Sequence, residues 1–157
     1  MSYDLTFVPK DGAPVGARPD AAVWAALVAE AERVLGPVTP FEGEDFCEIT
    51  DESTGIQLSY YGGEAGITVP YWYSGAAATA IVTKVYELGR SVERLTGFTG
   101  YDPQLDLPLA KAATKVRKAV ASFDQIAAMF ARREKAERRA EERARRRNDP
   151  PRPDPLG

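Results

Sequence analysis

Histidine is absent from this chain of 157 residues, and cysteine occurs once, as Cys47. Without histidine there is no Ser-His-Asp or Cys-His catalysis and no histidine-dependent zinc site. A single cysteine cannot close a disulfide within the chain, and this usage suits a reducing, cytoplasmic compartment. Long apolar runs are missing too: none approaches the roughly 18 residues that a membrane span requires. The opening MSYDLTFVPK has no basic stretch followed by an apolar one, so no secretory signal is expected. Between Glu42 and Glu64 there is no lysine or arginine at all, against seven acids.

What remains is 44% hydrophobic and 27% charged, the composition of one soluble domain. The net charge of −3 conceals a division. Residues 1–108 hold 6 basic and 16 acidic residues, whereas 109–147 hold 13 basic and 5 acidic. Charge is therefore read by segment.

Tyr3–Val8 alternates apolar and polar positions and reads as a strand. A Gly- and Pro-rich loop, Pro9–Pro19, follows. Asp20 is placed to cap a helix over Ala21–Leu35, which Gly36-Pro37 ends. Phe46–Thr50, Ile56–Tyr61 and Ile67–Tyr73 read as three strands of an antiparallel meander, with turns at Asp51–Gly55 and Gly62–Gly66. Pro70 lacks a ladder donor, which places its strand at an edge or a bulge. Ser74 is expected to cap a second helix, Ala76–Leu95, stopped at Gly97, and Phe98–Tyr101 to form a closing strand. The order β-α-β-β-β-α-β, with two helices on one face of a mostly antiparallel sheet, is α+β and a variant of the ferredoxin-like arrangement.

Beyond Pro108 a single long helix is expected over Leu109–Arg147. Leu109, Ala113, Val116, Val120, Phe123, Ala127 and Phe130 keep a heptad rhythm. The stripe then runs into Glu134, Glu137 and Glu141, and Glu-to-Arg pairs four residues apart take over. The apolar half is expected to pack on the domain, Phe123 and Phe130 included, with self-pairing as the rival. The charged half should stand in solvent, and the Pro-rich end, residues 148–157, is expected to be disordered.

Chemistry finds few footholds. Gly62-Gly63 precedes Glu64 rather than a lysine and a helix, so it reads as a hairpin turn and not a phosphate loop. Cys47 is flanked by acids, which raise a thiol pKa. Glu44/Glu48 and Asp51/Glu52 are carboxylate pairs of a kind any acidic stretch supplies, and EF-hand spacing is missing. No nucleophile, base and orienting group come together, so no enzyme, cofactor or metal is expected.

Two short motifs, MSYDLTF at the start and Tyr101-Asp102-Pro103-Gln104 after the second helix, resemble a loose group of small bacterial proteins. Its members begin with MSYDL plus aromatics and carry YDPQ near the end of the domain; Thr6 here stands where an aromatic is usual. The resemblance spans residues 1–107. Some members are similar to immunity proteins for secreted toxins, which implies a non-enzymatic binder. Read on its own residues, Asp102 before Pro103 is expected to form an Asx-turn, a structural role.

The leading expectation is thus a module that binds a basic protein partner through Glu42, Glu44, Asp45, Glu48, Asp51 and Glu52, with Tyr61 and Trp72 as an aromatic platform. The alternatives are nucleic-acid association through Arg138, Arg139, Arg143, Arg145, Arg146 and Arg147, and a homodimer on the 109–130 seam.

Overall fold

The computed structural model describes residues 1–12, 17–151 and 153–156. Parts of the Pro9–Pro19 loop and of the 148–157 tail lie outside the described residues. The architecture is α+β, with all strands in one antiparallel sheet.

Chain order is β1 (Ser2–Val8), α1 (Ala21–Leu35), β2 (Thr39–Glu42), β3 (Cys47–Asp51), β4 (Ile56–Tyr60), β5 (Ala65–Pro70), α2 (Gly75–Thr96), β6 (Thr99–Asp102), β7 (Leu107–Pro108), α3 (Leu109–Ala112) and α4 (Val116–Asn148). Across the sheet the strands lie β2-β3-β4-β5-β1-β6-β7. The expected order lacked β2 and β7. Both are short edge strands carrying a proline, Pro40 and Pro108, a composition that blunts edges against further pairing. Because β1 is inserted antiparallel between β5 and β6, those two run the same way and α2 closes a split β-α-β unit.

Pro70 does not mark an edge. β5 lies between β4 and β1, and Pro70 is tolerated as its last residue, opposite Ser2. Tyr71 and Tyr73 leave the sheet there. Tyr71 turns edge-on to Phe123, and the Tyr73 hydroxyl donates to the Thr54 carbonyl at 2.6 Å.

Strand alternation sorts the residues onto two faces. Tyr3, Leu5 and Phe7, Cys47 and Ile49, Ile56, Leu58 and Tyr60, and Ile67 and Val69 are buried under α1 and α2. Among the described residues no helix covers the other face. Its central row runs Phe41, Glu48, Ser59, Gly66, Thr6, Tyr101, Pro108 from one edge to the other.

Asp20 caps α1 as expected, accepting from the Val23 amide at 2.9 Å. Ser74 does not cap α2 with its side chain; Asp124 of α4 accepts from the Gly75 amide at 2.8 Å instead. Gly97, left-handed at φ 74°, ends α2.

The C-terminal helix is broken, not continuous. At 113–115 the bonds shorten to three-residue steps, Thr114 N to Lys111 O and Lys115 N to Ala112 O, and the Thr114 hydroxyl also takes the Lys111 carbonyl. The break re-aims the chain, so the seam does not hold a heptad phase: Leu109, Ala112, Ala119 and Phe123 are buried, while Phe130 is 45% exposed and takes no part in the core. Leu109 fits beside Gly100 and Gly89, where an added Cβ would stand 3.0 and 2.9 Å from its side chain. Residues 131–148 are exposed throughout.

Candidate interaction site

The group with the densest chemistry lies inside the fold. Asp102 Oδ2 accepts from the hydroxyls of Tyr3 and Tyr86, the latter at 2.7 Å, and the two hydroxyls lie 2.9 Å apart. Its Oδ1 accepts from the amides of Gln104 and Leu105 and from the Gln104 side chain, at 2.9–3.1 Å. Gln104 in turn brackets the Asp4 backbone, accepting from its N–H at 2.8 Å and donating to its carbonyl at 2.7 Å. Burial first, then the bond to Asp102, pushes the Tyr3 hydroxyl far above the ordinary tyrosine range. Burial also raises Tyr86. Asp102, Tyr3 and Tyr86 are all at most 3% exposed. The cluster ties β1 to the β6–β7 turn, and it joins the MSYDL and YDPQ segments physically. The Asx-turn expected at Asp102 is one part of it.

The open sheet face presents a different surface. Phe41 sits opposite Glu48, and Phe46 and Tyr61 extend the same face beyond the ends of β3 and β4. The rings form a row: Phe41 to Phe46 at 5.4 Å, Phe46 to Tyr61 at 5.8 Å. They are 54%, 38% and 42% exposed. Glu42, Glu44, Asp45 and Glu64 surround this end and are exposed, and Glu48 is half-buried. Among the described residues, one cation pairs with the stretch: Arg18 reaches Glu44 at 2.9 Å. The β4–β5 turn that ends the row is tight. Tyr61 N–H donates to the Glu64 carbonyl, and Gly62, at φ 85°, leaves room for the Arg18–Pro19 backbone where a Cβ would collide at 2.3 Å. Gly62-Gly63 is therefore a hairpin turn.

Three expected site residues do not join this surface. Asp51 is 2% exposed; its carboxylate accepts from Ser53 and Thr54 hydroxyls at 2.8 and 2.6 Å and organises the β3–β4 turn. Asp51 is on the buried face because β3 alternation puts it with Cys47 and Ile49. Glu52 is exposed but belongs to that same turn. Trp72, 71% exposed, lies over Gly55 and Pro70. Strand register puts Gly55 and Tyr61 at opposite ends of β4, about 20 Å apart at the usual rise per residue. Tyr61 and Trp72 thus form no common platform. Sequence reasoning missed Phe41 and Phe46 as the companions of Tyr61; the signal was their position flanking a short acidic turn, which brings them together in a hairpin.

Cys47 is buried, and burial is the main cause that raises its thiol. No group of three or more metal-ligating side chains is assembled among the described residues. No described helix is long and apolar enough to cross a membrane.

On α4 the arginines divide. At 3.6 residues per turn, Arg139, Arg143 and Arg146 share one side with Lys135, Arg132 and Arg147, while Arg138 and Arg145 lie beside the Glu134–Glu137–Glu141 stripe. Arg146 pairs with Glu142 at 2.7 Å and Arg133 with Glu137 at 3.3 Å. None of these residues touches the body.

Comparison of the chain with family models, with curated proteins and with solved structures finds no match.

Proposed function

We propose that this chain is a non-enzymatic protein-interaction module that binds a basic partner at the acidic, aromatic end of its open sheet face. The observation that carries the reading is the row Phe41, Phe46, Tyr61, exposed and in ring-to-ring contact within a field of acids that has a single cationic neighbour among the described residues. Aromatic rings provide apolar area at low conformational cost, and the surrounding carboxylates steer and select a partner rich in lysine or arginine. An immunity-type role is the specific form that the resemblance to the MSYDL/YDPQ group suggests; the basic character of the partner rests on the acidic charge alone.

Titration of a deca-arginine peptide into the full chain tests this. Binding should weaken steeply as ionic strength rises and should be lost in a Glu42→Lys, Asp45→Lys, Glu64→Lys variant of unchanged melting temperature. Affinity indifferent to salt or to those substitutions overturns the reading.

A second reading, nucleic-acid association, is favoured by the basic side of α4, where Arg139, Arg143 and Arg146 project together from an otherwise solvated helix. Retention of DNA or RNA that disappears on deleting residues 131–157 would support it; no retention by the intact chain removes it.

A further inference from the structure

The two charged regions of this chain leave the body at opposite ends. α4 runs back along α2: Leu109, just before it, packs at Gly89, whereas Asp124 binds the amide of Gly75 at the start of α2. Along β1 the same course goes from Phe7, near Leu109, to Tyr3, which stacks on Phe123 at 5.3 Å. The helix therefore departs at the Ser2–Pro70 end of the sheet. The aromatic and acidic surface is at the other end, where Phe7, Ala65, Tyr60, Cys47 and Glu42 stand in register across the strands. The free arm is about 27 Å long at helical rise and points away from that surface. A chain cannot neutralise its own acidic end in this geometry.

The compositions nonetheless match. Where α4 leaves the body it exposes Met129 and Phe130, and nine lysines and arginines against four glutamates follow over 132–147. The acidic end offers three exposed rings surrounded by carboxylates. Exposed apolar side chains followed by a basic segment fit exposed rings set among carboxylates in both apolar area and charge.

We propose that the occupant of the acidic, aromatic end is the α4 arm of a second copy of this chain, so that copies associate head to tail. The inference rests on the reading of that end as a site for a basic partner, and it names the partner. A head-to-tail contact is heterologous: each copy keeps one free arm and one free acidic end, and assembly continues into open chains or closes into rings.

Sedimentation velocity on the full chain tests it. At low ionic strength the mass should exceed that of the monomer and rise with concentration, with the apparent dissociation constant weakening about tenfold or more in high salt. An arm-reversed variant (Arg139→Glu, Arg143→Glu, Arg146→Glu) and a surface-reversed variant (Glu42→Lys, Asp45→Lys, Glu64→Lys) should each be monomeric alone and should associate when mixed. A monomer under all conditions overturns the proposal. So does an assembly that persists in the surface-reversed variant, since arms would then be pairing with arms. Deca-arginine binding to the arm-reversed variant separates the two levels. If the chain is monomeric and the peptide binds, only the second copy is excluded; if the peptide does not bind, the site reading falls with it.

Discussion

The Tyr3 hydroxyl donates to Asp102 Oδ2, joining the first strand to the last turn of the sheet across 99 positions of sequence. Every acceptor position of that buried carboxylate is occupied, and with Tyr86 it closes a three-membered polar network in an otherwise apolar layer. Such a network is costly to break, because each partner left behind is unpaired and out of reach of water.

Replacing Asp102 with alanine should therefore cost about 3 kcal/mol of folding stability, by stranding two hydroxyls and two amides. Tyr3→Phe should cost less, since Asp102 keeps its other donors. Denaturant titration of the two single variants and the double variant measures the coupling; additive effects would deny that the pair acts together.

The same network sets the alkaline limit. Burial first raises Tyr3 and Tyr86 above the ordinary value of 10.0, and the bond to Asp102 adds to both, while the bond with Tyr3 draws Tyr86 partly back. A raised folded-state pKa contributes stability that is fully present below pH 10 and is lost as pH climbs from there toward the folded values. Tyrosinate absorbance should show these two hydroxyls ionising together with loss of near-ultraviolet circular dichroism. Their ionisation in a still-folded chain would contradict the geometry.

At the acidic side Glu30 is the group to follow. Bonds from Arg33 and Ser91 hold its carboxyl down to about 2 against an ordinary 4.5, and Arg94 lies at 3.4 Å. A depressed folded-state pKa contributes stability present above 4.5 that is lost as pH falls toward 2. Glu30→Gln should flatten the melting temperature across this window; an unchanged slope would show that exposure to solvent already screens the group.

Along α4 the core ends within two helical turns. Phe123→Ala should cost about 3–5 kcal/mol, because the ring is fully buried between Tyr3 and Tyr71. Phe130→Ala should change folding stability by less than about 0.5 kcal/mol. Truncation after residue 131 should lower helical circular dichroism while leaving the melting temperature in place. A fall in melting temperature would mean that the arm packs on the body.

Much of the scaffold is legible in local pattern. Period-two alternation marks β1, β3 and β4, and the spacing of apolar residues with Asp20 and Gly97 marks α1 and α2. The exceptions have physical reasons. β2 was hidden by Pro40, and β7 spans two residues, too few to show a period. The single C-terminal helix failed because a strong helical pattern outweighs one three-residue break that only the packing of Leu109 against Gly89 and Gly100 rewards. Of the candidate site, the charges are legible but Phe41 and Phe46 are not, and Asp51, expected on the surface, lies inside.

The amino-acid order alone determined the longer helices and strands, β2, β7 and the break at 113–115 excepted, and how charge divides between residues 1–108 and 109–147, because backbone geometry imposes its periods locally. Strand register decided the rest: that Tyr61 joins Phe46 and not Trp72, that Tyr3 meets Asp102, and that the basic arm leaves from the end opposite the acids. Those relations depend on pairing between residues far apart in the chain, and a shift of one position in register would turn the side chains of the shifted strand to the other face.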